Sequence, residues 1–318
     1  MEINLTHLAQ RLKLRHLKVV LAIAEHRSLS RASYALGISQ PALTKTLHDA
    51  EEAIGARLFD RLPRGVIPTA FGEVVLVRAQ AILSELAQLG EELAEVAGGG
   101  AGKIAVGVLP AAGAGLLPGC LTRLRHSHAG LGVRVVEAMT RELLPMLAAG
   151  DIDVVLGRLY APEAPDEFRR EPLYQEPIAV LARSGHPVFA QARPAAADLA
   201  RFGMALPSSA QRLGRDVEEA LMSMGVPLSA TAVRSTSLSL IRELLHQSDV
   251  LTVLPPLMLA GDQLRGSVRM VPIDVPTPPR PAGLITLRHR PRTPGTEALA
   301  GAVAAEIARL RELGVLLG

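Results

Sequence analysis

The stretch from Ser28 to Lys45 holds two short helical patterns hinged at Gly37, and it constrains the fold more tightly than any other part of the 318 residues. Its first half turns Ala32, Ala35 and Leu36 inward, Gly37 permits a tight turn, and Ile38 is placed to fill the angle between the helices. Ser39 suits an N-cap and Pro41 falls in the first turn, where its missing N–H costs nothing, so a second helix starts here. Leu43, Leu47, Ala50 and Ile54, spaced by four, three and four residues, form its buried stripe. Gln40, Thr44 and His48 lie on the opposite face, with Pro41 and Lys45 beside them. Short polar and amide side chains at a helix N-terminus are what base edges in a major groove accept. Upstream, Leu17, Val20, Leu21 and Ala24 supply a third helix. Downstream, the turn-rich run Leu62 to Pro68 has the composition of a wing, with Arg64 placed to reach a phosphate or the minor groove.

Charge separates this pattern from an ordinary helical domain. Residues 1–48 carry seven Lys or Arg, namely Arg11, Lys13, Arg15, Lys18, Arg27, Arg31 and Lys45, against the two acids Glu2 and Glu25, in a chain whose formal charge is only +3. Clustered cations supply the sequence-independent phosphate attraction on which specific DNA binding is built, and Arg31 joins the candidate contacts. Arginines elsewhere read as solvated surface. A single cysteine, Cys120, excludes an internal disulfide framework and fits a reducing compartment. The N-terminus lacks the basic and apolar succession of an export signal, so a cytoplasmic location is expected. Residues 104–121 are uncharged, yet Pro110, Pro118 and four glycines suit strand, loop and helix better than a membrane span.

From Thr69 to about Ala97, Val75, Ala79, Ile82, Leu86, Leu89, Leu93 and Val96 repeat at alternating spacings of four and three. That is a heptad seam, and it predicts a long helix that pairs with a second copy. Gly98-Gly99-Gly100-Ala101-Gly102 follows as a flexible hinge. A paired helix sets two reading helices side by side, and a two-fold protein asks for an inverted-repeat operator. The expected divisions are a winged helix-turn-helix over 1–68, a dimerisation helix over 69–97 and a hinge over 98–102.

Beyond the hinge, short apolar runs alternate with helical stretches: Lys103 to Val108, Val133 to Glu137, Ile152 to Gly157, Ile178 to Ala182, Val250 to Leu254 and Leu284 to Leu287. This is the pattern of an α/β region with a parallel sheet and crossover helices, divided into one lobe of 103–172 with 288–318 and a second of 173–287. Ligands in such folds bind beyond the carboxyl ends of strands, where helix N-termini present free N–H groups. Those ends place Pro110, Ala111, Ala112, Gly113, Thr140 and Arg158 in the first lobe, and Ser208, Ser209, Thr236, Ser237 and Pro255 in the second. Hydroxyls, backbone N–H groups and one arginine suit a small carboxylate or similar anion, although each Ser or Thr taken singly is more often a helix cap than a ligand contact. No glycine-rich phosphate loop and no His/Cys cluster at metal spacing is present, and His126 and His128 lack companions, so neither an enzyme, a cofactor nor a metal is expected.

The order of reading helix, wing, long helix and two-lobed α/β region closely resembles the LysR-type transcriptional regulators over the whole chain. The most specific matches are Ser39 through Lys45, Glu52-Ala53-Ile54-Gly55 with Leu58-Phe59-Asp60-Arg61, and Pro68-Thr69-Ala70-Phe71-Gly72. The resemblance implies an N-terminal all-α winged helix-turn-helix on a long linker helix, and a periplasmic-binding-protein-like effector domain. It also implies promoter DNA and a small-molecule effector as partners, RNA polymerase as a further one, and a homotetramer built from homodimers. By that match Gln40, Pro41, Thr44, Lys45 and Arg64 inherit DNA-contact roles. Gly150 through Leu159 and Gln40 through Thr46 look like the branch that regulates protocatechuate, toluenesulfonate and sugar catabolism, which points to an aromatic or sugar-derived acid. One departure is the loop Pro110 to Gly115, which lacks the Ser or Thr these regulators often carry, so backbone N–H groups would hold the effector there. A two-lobed solute-binding protein shares the lobes but has no use for a basic reading module, and a DNA-packaging protein has no use for the cleft.

Overall fold

A computed structural model describes residues 5–62, 65–96, 102–162, 165–227, 232–278 and 280–316, without the side chains of 5–7, 88, 91–92 and 94–96. These residues gather into two compact units, one of Met1–Gly102 with Leu144–Ile152 and one of Lys103–Leu143 with Asp153–Gly318. Arg64 and most of the glycine hinge, residues 98–101, lie outside the described residues.

The head runs α1 (Leu5–Arg11), α2 (Leu14–His26), α3 (Leu29–Ala35) and α4 (Gln40–Ile54), then the antiparallel pair β1 (Phe59–Leu62) and β2 (Gly65–Pro68), then α5 (Ala70–Val96). Val20, Ile23, Ala32, Leu43, Leu47, Ala50, Leu58 and Phe59 form its core, with Leu36, Ile54 and Val75 packed at the margin. Ser28 and Ser39 cap α3 and α4, each accepting from a backbone N–H three residues on, at 3.4 Å. Gly37 takes the left-handed conformation (φ 65°) that the turn between them demands. Arg27 closes α2 in the same region (φ 49°), and its carbonyl accepts from Val66 N–H at 3.2 Å, joining β2 to that turn. Glu51 Oε1 accepts from Leu58 N–H at 2.8 Å, and the Thr69 hydroxyl donates to the Arg57 carbonyl at 2.8 Å, so the hairpin is bound to both flanking helices. Ile38 does not fill the helix angle. It is 39% exposed and Ala35 also faces solvent, because the left-handed turn at Gly37 carries the next side chain outward; Val19 and Ile23 supply the packing instead.

The α/β unit contains, in chain order, β3 (Lys103–Val108), α6 (Pro110–Gly115), α7 (Leu117–Ser127), β4 (Gly132–Glu137), α8 (Thr140–Ala149), β5 (Val154–Arg158), β6 (Phe168–Glu176) and β7 (Ala179–Arg183). It continues with α9 (Ala196–Leu199), β8 (Gly203–Pro207), α10 (Arg212–Ser223), β9 (Val233–Ser235), α11 (Leu238–Gln247), β10 (Val250–Leu254), α12 (Ala260–Leu264), β11 (Val268–Met270), β12 (Arg280–Leu287) and α13 (Pro294–Glu312). Among the described residues these strands make two five-stranded sheets, ordered β4-β3-β5-β12-β6 and β11-β7-β10-β8-β9.

Both sheets are mixed rather than parallel, since β12 runs antiparallel to β5 and β6, and β7 antiparallel to β10 and β11. The lobe limits expected at 173 and 287 are displaced as well. Leu173–Glu176 and all of β12 belong to the first sheet, so the chain leaves that lobe after Glu176 and re-enters it at Arg280. An apolar run announces a buried strand but not which sheet it joins. The first-lobe core, which includes Ile104, Val106, Leu116, Leu156, Leu284 and Val303, also takes in Leu257 and Ala260 from the segment after β10. Gly115 permits that approach: a Cβ there would run into the Leu257 carbonyl oxygen and side chain. Cys120 is buried in the same core and its thiol is pushed up to about 12 by that burial, so it is a packing residue rather than a nucleophile.

Candidate functional site

Two surfaces concentrate the chemistry, the outer face of α4 and the crevice at the carboxyl ends of β3 and β5. On α4 the inner stripe Leu43, Leu47 and Ala50 is sealed in the head core, which orients the rest of the helix outward. Ser39, Gln40, Pro41, Lys45 and His48 are exposed and Thr44 half-buried, one row along the first turns of the helix. No carboxylate among the described residues lies within ion-pairing distance of Lys45 or of exposed Arg31, so both charges are free for phosphate. The face therefore combines uncommitted donors and acceptors with free cations on a rigid helix.

On α5 the heptad residues divide. Ile82, Leu86, Leu89 and Leu93 are 44–60% exposed, an apolar stripe along the helix. Val75 instead packs on the head core and Ala79 is buried, so these two are taken up by their own chain; the Val96 side chain lies outside the described residues.

The crevice holds a cavity of about 80 Å³ lined by Leu109, Pro110, Ala111, Met139, Arg158, Tyr160, Glu176, Gln211, Arg212, Leu213, Pro255 and Met258. Pro110, Ala111, Arg158 and Pro255 meet there as the strand ends predict. Ala112 is instead sealed in the first-lobe core, and Gly113 stands against Glu137. Thr140 is not in the lining, and its hydroxyl is buried without a partner. Ser208 accepts from Ala210 N–H at 3.3 Å and Ser237 from Leu240 N–H at 3.2 Å, so both hydroxyls cap their own turns. Ser209 and Thr236 are likewise outside the lining.

Arg158 is not a free anion receptor. It is 4% exposed; its Nε donates to Glu176 Oε2 at 2.8 Å, Nη2 stands 2.8 Å from the same oxygen at ion-pairing distance, and Nη1 stands 3.6 Å from Asp216 on α10. Asp216 in turn lies 3.1 Å from Arg280, at ion-pairing distance though outside hydrogen-bond alignment for Oδ2. Burial raises the Glu176 carboxyl above its ordinary range, and the Arg158 charge and hydrogen bond pull it back. The network ties β5 and β6 to α10, and a second cavity of about 290 Å³ opens on it beside Glu219, Thr277 and Arg280. Sequence reasoning missed Tyr160, Glu176 and Arg212. Arg212, at the start of α10, lies over the Tyr160 ring at 4.5 Å and has no carboxylate at ion-pairing distance among the described residues. The signal available for it was a helix start after Ser208-Ser209, which drew attention to the hydroxyls rather than to the arginine beyond them.

Among the described residues no group of His, Cys, Asp and Glu is placed to hold a metal ion, and no helix is long and apolar enough to cross a membrane. Residues 14–73 match the model of the bacterial regulatory helix-turn-helix protein, lysR family, and residues 97–308 match that of the LysR substrate binding domain. The chain is 33% identical over 308 residues to the HTH-type transcriptional regulator GbpR of Azospirillum brasilense, covering 96% of this chain and 90% of that one. It is 30% identical over 275 residues to the HTH-type transcriptional regulator PcaQ of Agrobacterium fabrum, covering 86% and 88%. Among solved structures, a full-length single-substitution variant of OxyR from Pseudomonas aeruginosa is similar with a TM-score of 0.64 at 25% identity, covering 92% of this chain and 94% of that one. Full-length CbnR complexed with its target DNA shares the fold, with a TM-score of 0.63 at 20% identity over 93% of this chain and all of that one. A head built to present α4, an α/β unit with a lined crevice and family matches across both together make this chain a member of the LysR family, a DNA-binding transcriptional regulator with an effector-binding domain.

Proposed function

We propose that this regulator controls an operon beside its own gene, reading an inverted-repeat operator with two copies of α4 and sensing a small aromatic or sugar-derived acid in the crevice. The observation that carries this reading is the row of exposed Gln40, Pro41, Thr44, Lys45 and His48 on a helix whose other face is locked in the head core. Ser39 and exposed Arg31 join the row, and Arg64, which lies outside the described residues, is assigned a further phosphate contact by the resemblance alone. The amide and hydroxyls read base edges, while Lys45 and Arg31 hold phosphates. The exposed Ile82, Leu86, Leu89 and Leu93 pair two chains, and dimers associate into a homotetramer that contacts RNA polymerase in the cytoplasm. The protein carries out no catalysis. The effector acts through unequal affinity for two arrangements of the assembly, so DNA can stay bound while transcriptional output changes.

A mobility-shift titration on the DNA fragment upstream of its own gene tests this. Lys45→Ala is expected to weaken binding on every sequence and to lower the salt slope by about one, the signature of a lost phosphate contact. Unchanged affinity at physiological salt would remove α4 as the reader.

A further inference from the structure

We propose that the crevice selects a monocarboxylic acid carrying a hydroxyl group at a distance from its carboxylate, with Arg212 taking the carboxylate and Glu176 the hydroxyl. This rests on the crevice being the effector site, and it names the chemistry that site accepts.

The charges around the cavity decide the number of negative groups. Arg158 is the obvious anion receptor but is saturated by Glu176 and faces Asp216, which also stands against Arg280. These four charges cancel in pairs. Among the described residues Arg212 is left as the cation lining the cavity with no carboxylate at ion-pairing distance, at the first turn of α10, where the Gln211 cap forms no side-chain hydrogen bond. One uncompensated guanidinium beside a helix N-terminus suits one carboxylate. A second carboxylate would meet Glu176, which repels it.

Glu176 decides the second group. It lines the cavity at 6% exposure, and its Oε1 accepts no hydrogen bond among the described residues. A buried acceptor left unsatisfied is costly, so a ligand that donates to it gains over one that does not. Because Arg158 already cancels the Glu176 charge, a neutral hydroxyl is preferred to an ammonium, which would bring an unbalanced charge beside a buried ion pair. The lining also includes apolar Leu109, Met139, Leu213 and Met258, so the body joining the two groups is hydrocarbon.

Calorimetric titration of the full-length protein tests this with two matched probe sets. One comprises 4-hydroxybenzoate, benzoate, terephthalate and 4-(aminomethyl)benzoate; the other comprises 6-hydroxyhexanoate, hexanoate and adipate. In one set or both, the hydroxy acid is expected to bind about tenfold more tightly than every other member. Arg212→Gln, on an exposed side chain, is expected to weaken it about tenfold or more. Glu176→Gln leaves Arg158 short of one partner, and the preference is expected to swing towards the dicarboxylate. If Glu176→Gln fails to fold, the Arg212→Gln arm and the wild-type ranking still decide. A dicarboxylate or the amine preferred by the wild type, with binding lost in Arg212→Gln, overturns the ligand class but keeps the crevice as the effector site. Hydroxy-acid binding indifferent to both substitutions removes the crevice itself, and no binding by any probe overturns the proposal.

Discussion

Replacing Arg158 by methionine removes the cation from a carboxylate that has nowhere to go. Glu176 is 6% exposed and its hydrogen bond and ion pair both come from Arg158, so Arg158→Met leaves a buried anion without its cation. Breaking a buried pair in this way costs about 3–5 kcal/mol at a pH where the stranded carboxylate must ionise. The carboxyl is already raised by burial in the intact protein, and losing the guanidinium raises it further. A carboxyl with a folded pKa above its unfolded value binds its proton more tightly when folded. Its contribution is therefore favourable below the ordinary value of 4.5 and is lost as pH rises through the folded pKa. The defect of Arg158→Met is then largest at pH 8 and shrinks as pH falls towards 5. Adding Glu176→Leu removes the stranded charge and is expected to restore most of the loss, since an apolar replacement of a buried pair is close to neutral. The chain has no tryptophan and three tyrosines, of which Tyr174 is buried beside this network, so near-UV circular dichroism during urea unfolding reports chiefly on the α/β unit. A loss below about 1 kcal/mol, a pH-independent loss, or a double variant weaker than the single would refute the account.

Five further substitutions probe other parts of the molecule. Gly115→Val forces a Cβ into the Leu257 carbonyl and is expected to cost about 1–3 kcal/mol or more, read as a lower thermal midpoint; Gly113→Ala, which meets the movable Glu137 side chain, should be milder. Leu86→Asp places a charge on the exposed α5 stripe and should lower the sedimentation mass with little change in head stability. Val75→Asp should do the reverse, since Val75 packs on the head core, and equal effects from the two would contradict the division of that helix. His16 is buried in α2, and burial first, then the Arg15 charge, holds its pKa below 6.5. The unfolded chain binds this proton more readily, so the contribution of His16 is present above pH 6.5 and is lost as pH falls below it. His16→Gln should flatten that part of the pH profile of urea midpoints, and an identical profile would show that His16 plays no part.

The reading helix was legible because its determinants are local. Ser39 as cap, Pro41 in the first turn and the stripe Leu43, Leu47, Ala50 need only the helical period to be recognised, and the structure places them as that period dictates. The outward direction of Ile38 was not legible, because the direction of a side chain after a left-handed turn depends on backbone geometry that residue types do not encode. The heptad on α5 was visible as a repeat, but a repeat does not say which surface each residue meets, and Val75 and Ala79 meet their own chain. In the α/β unit the strand segments were largely readable from apolar runs. Their assignment to sheets was not, because β12 reaches its partners across more than a hundred residues of chain.

Composition, helical period and turn residues alone determined that a basic head presents Gln40 to Lys45, that a long amphipathic helix follows and that an α/β region ends the chain. Each of those features arises from interactions within one or two turns or along one strand. Tertiary structure alone decided the chemistry of the crevice. It brought Glu176 and Asp216 to Arg158, so that the arginine marked by its strand end is spent and Arg212, stacked on Tyr160, is left to receive a ligand. Charge compensation depends on distances in space, and a linear sequence does not carry those distances.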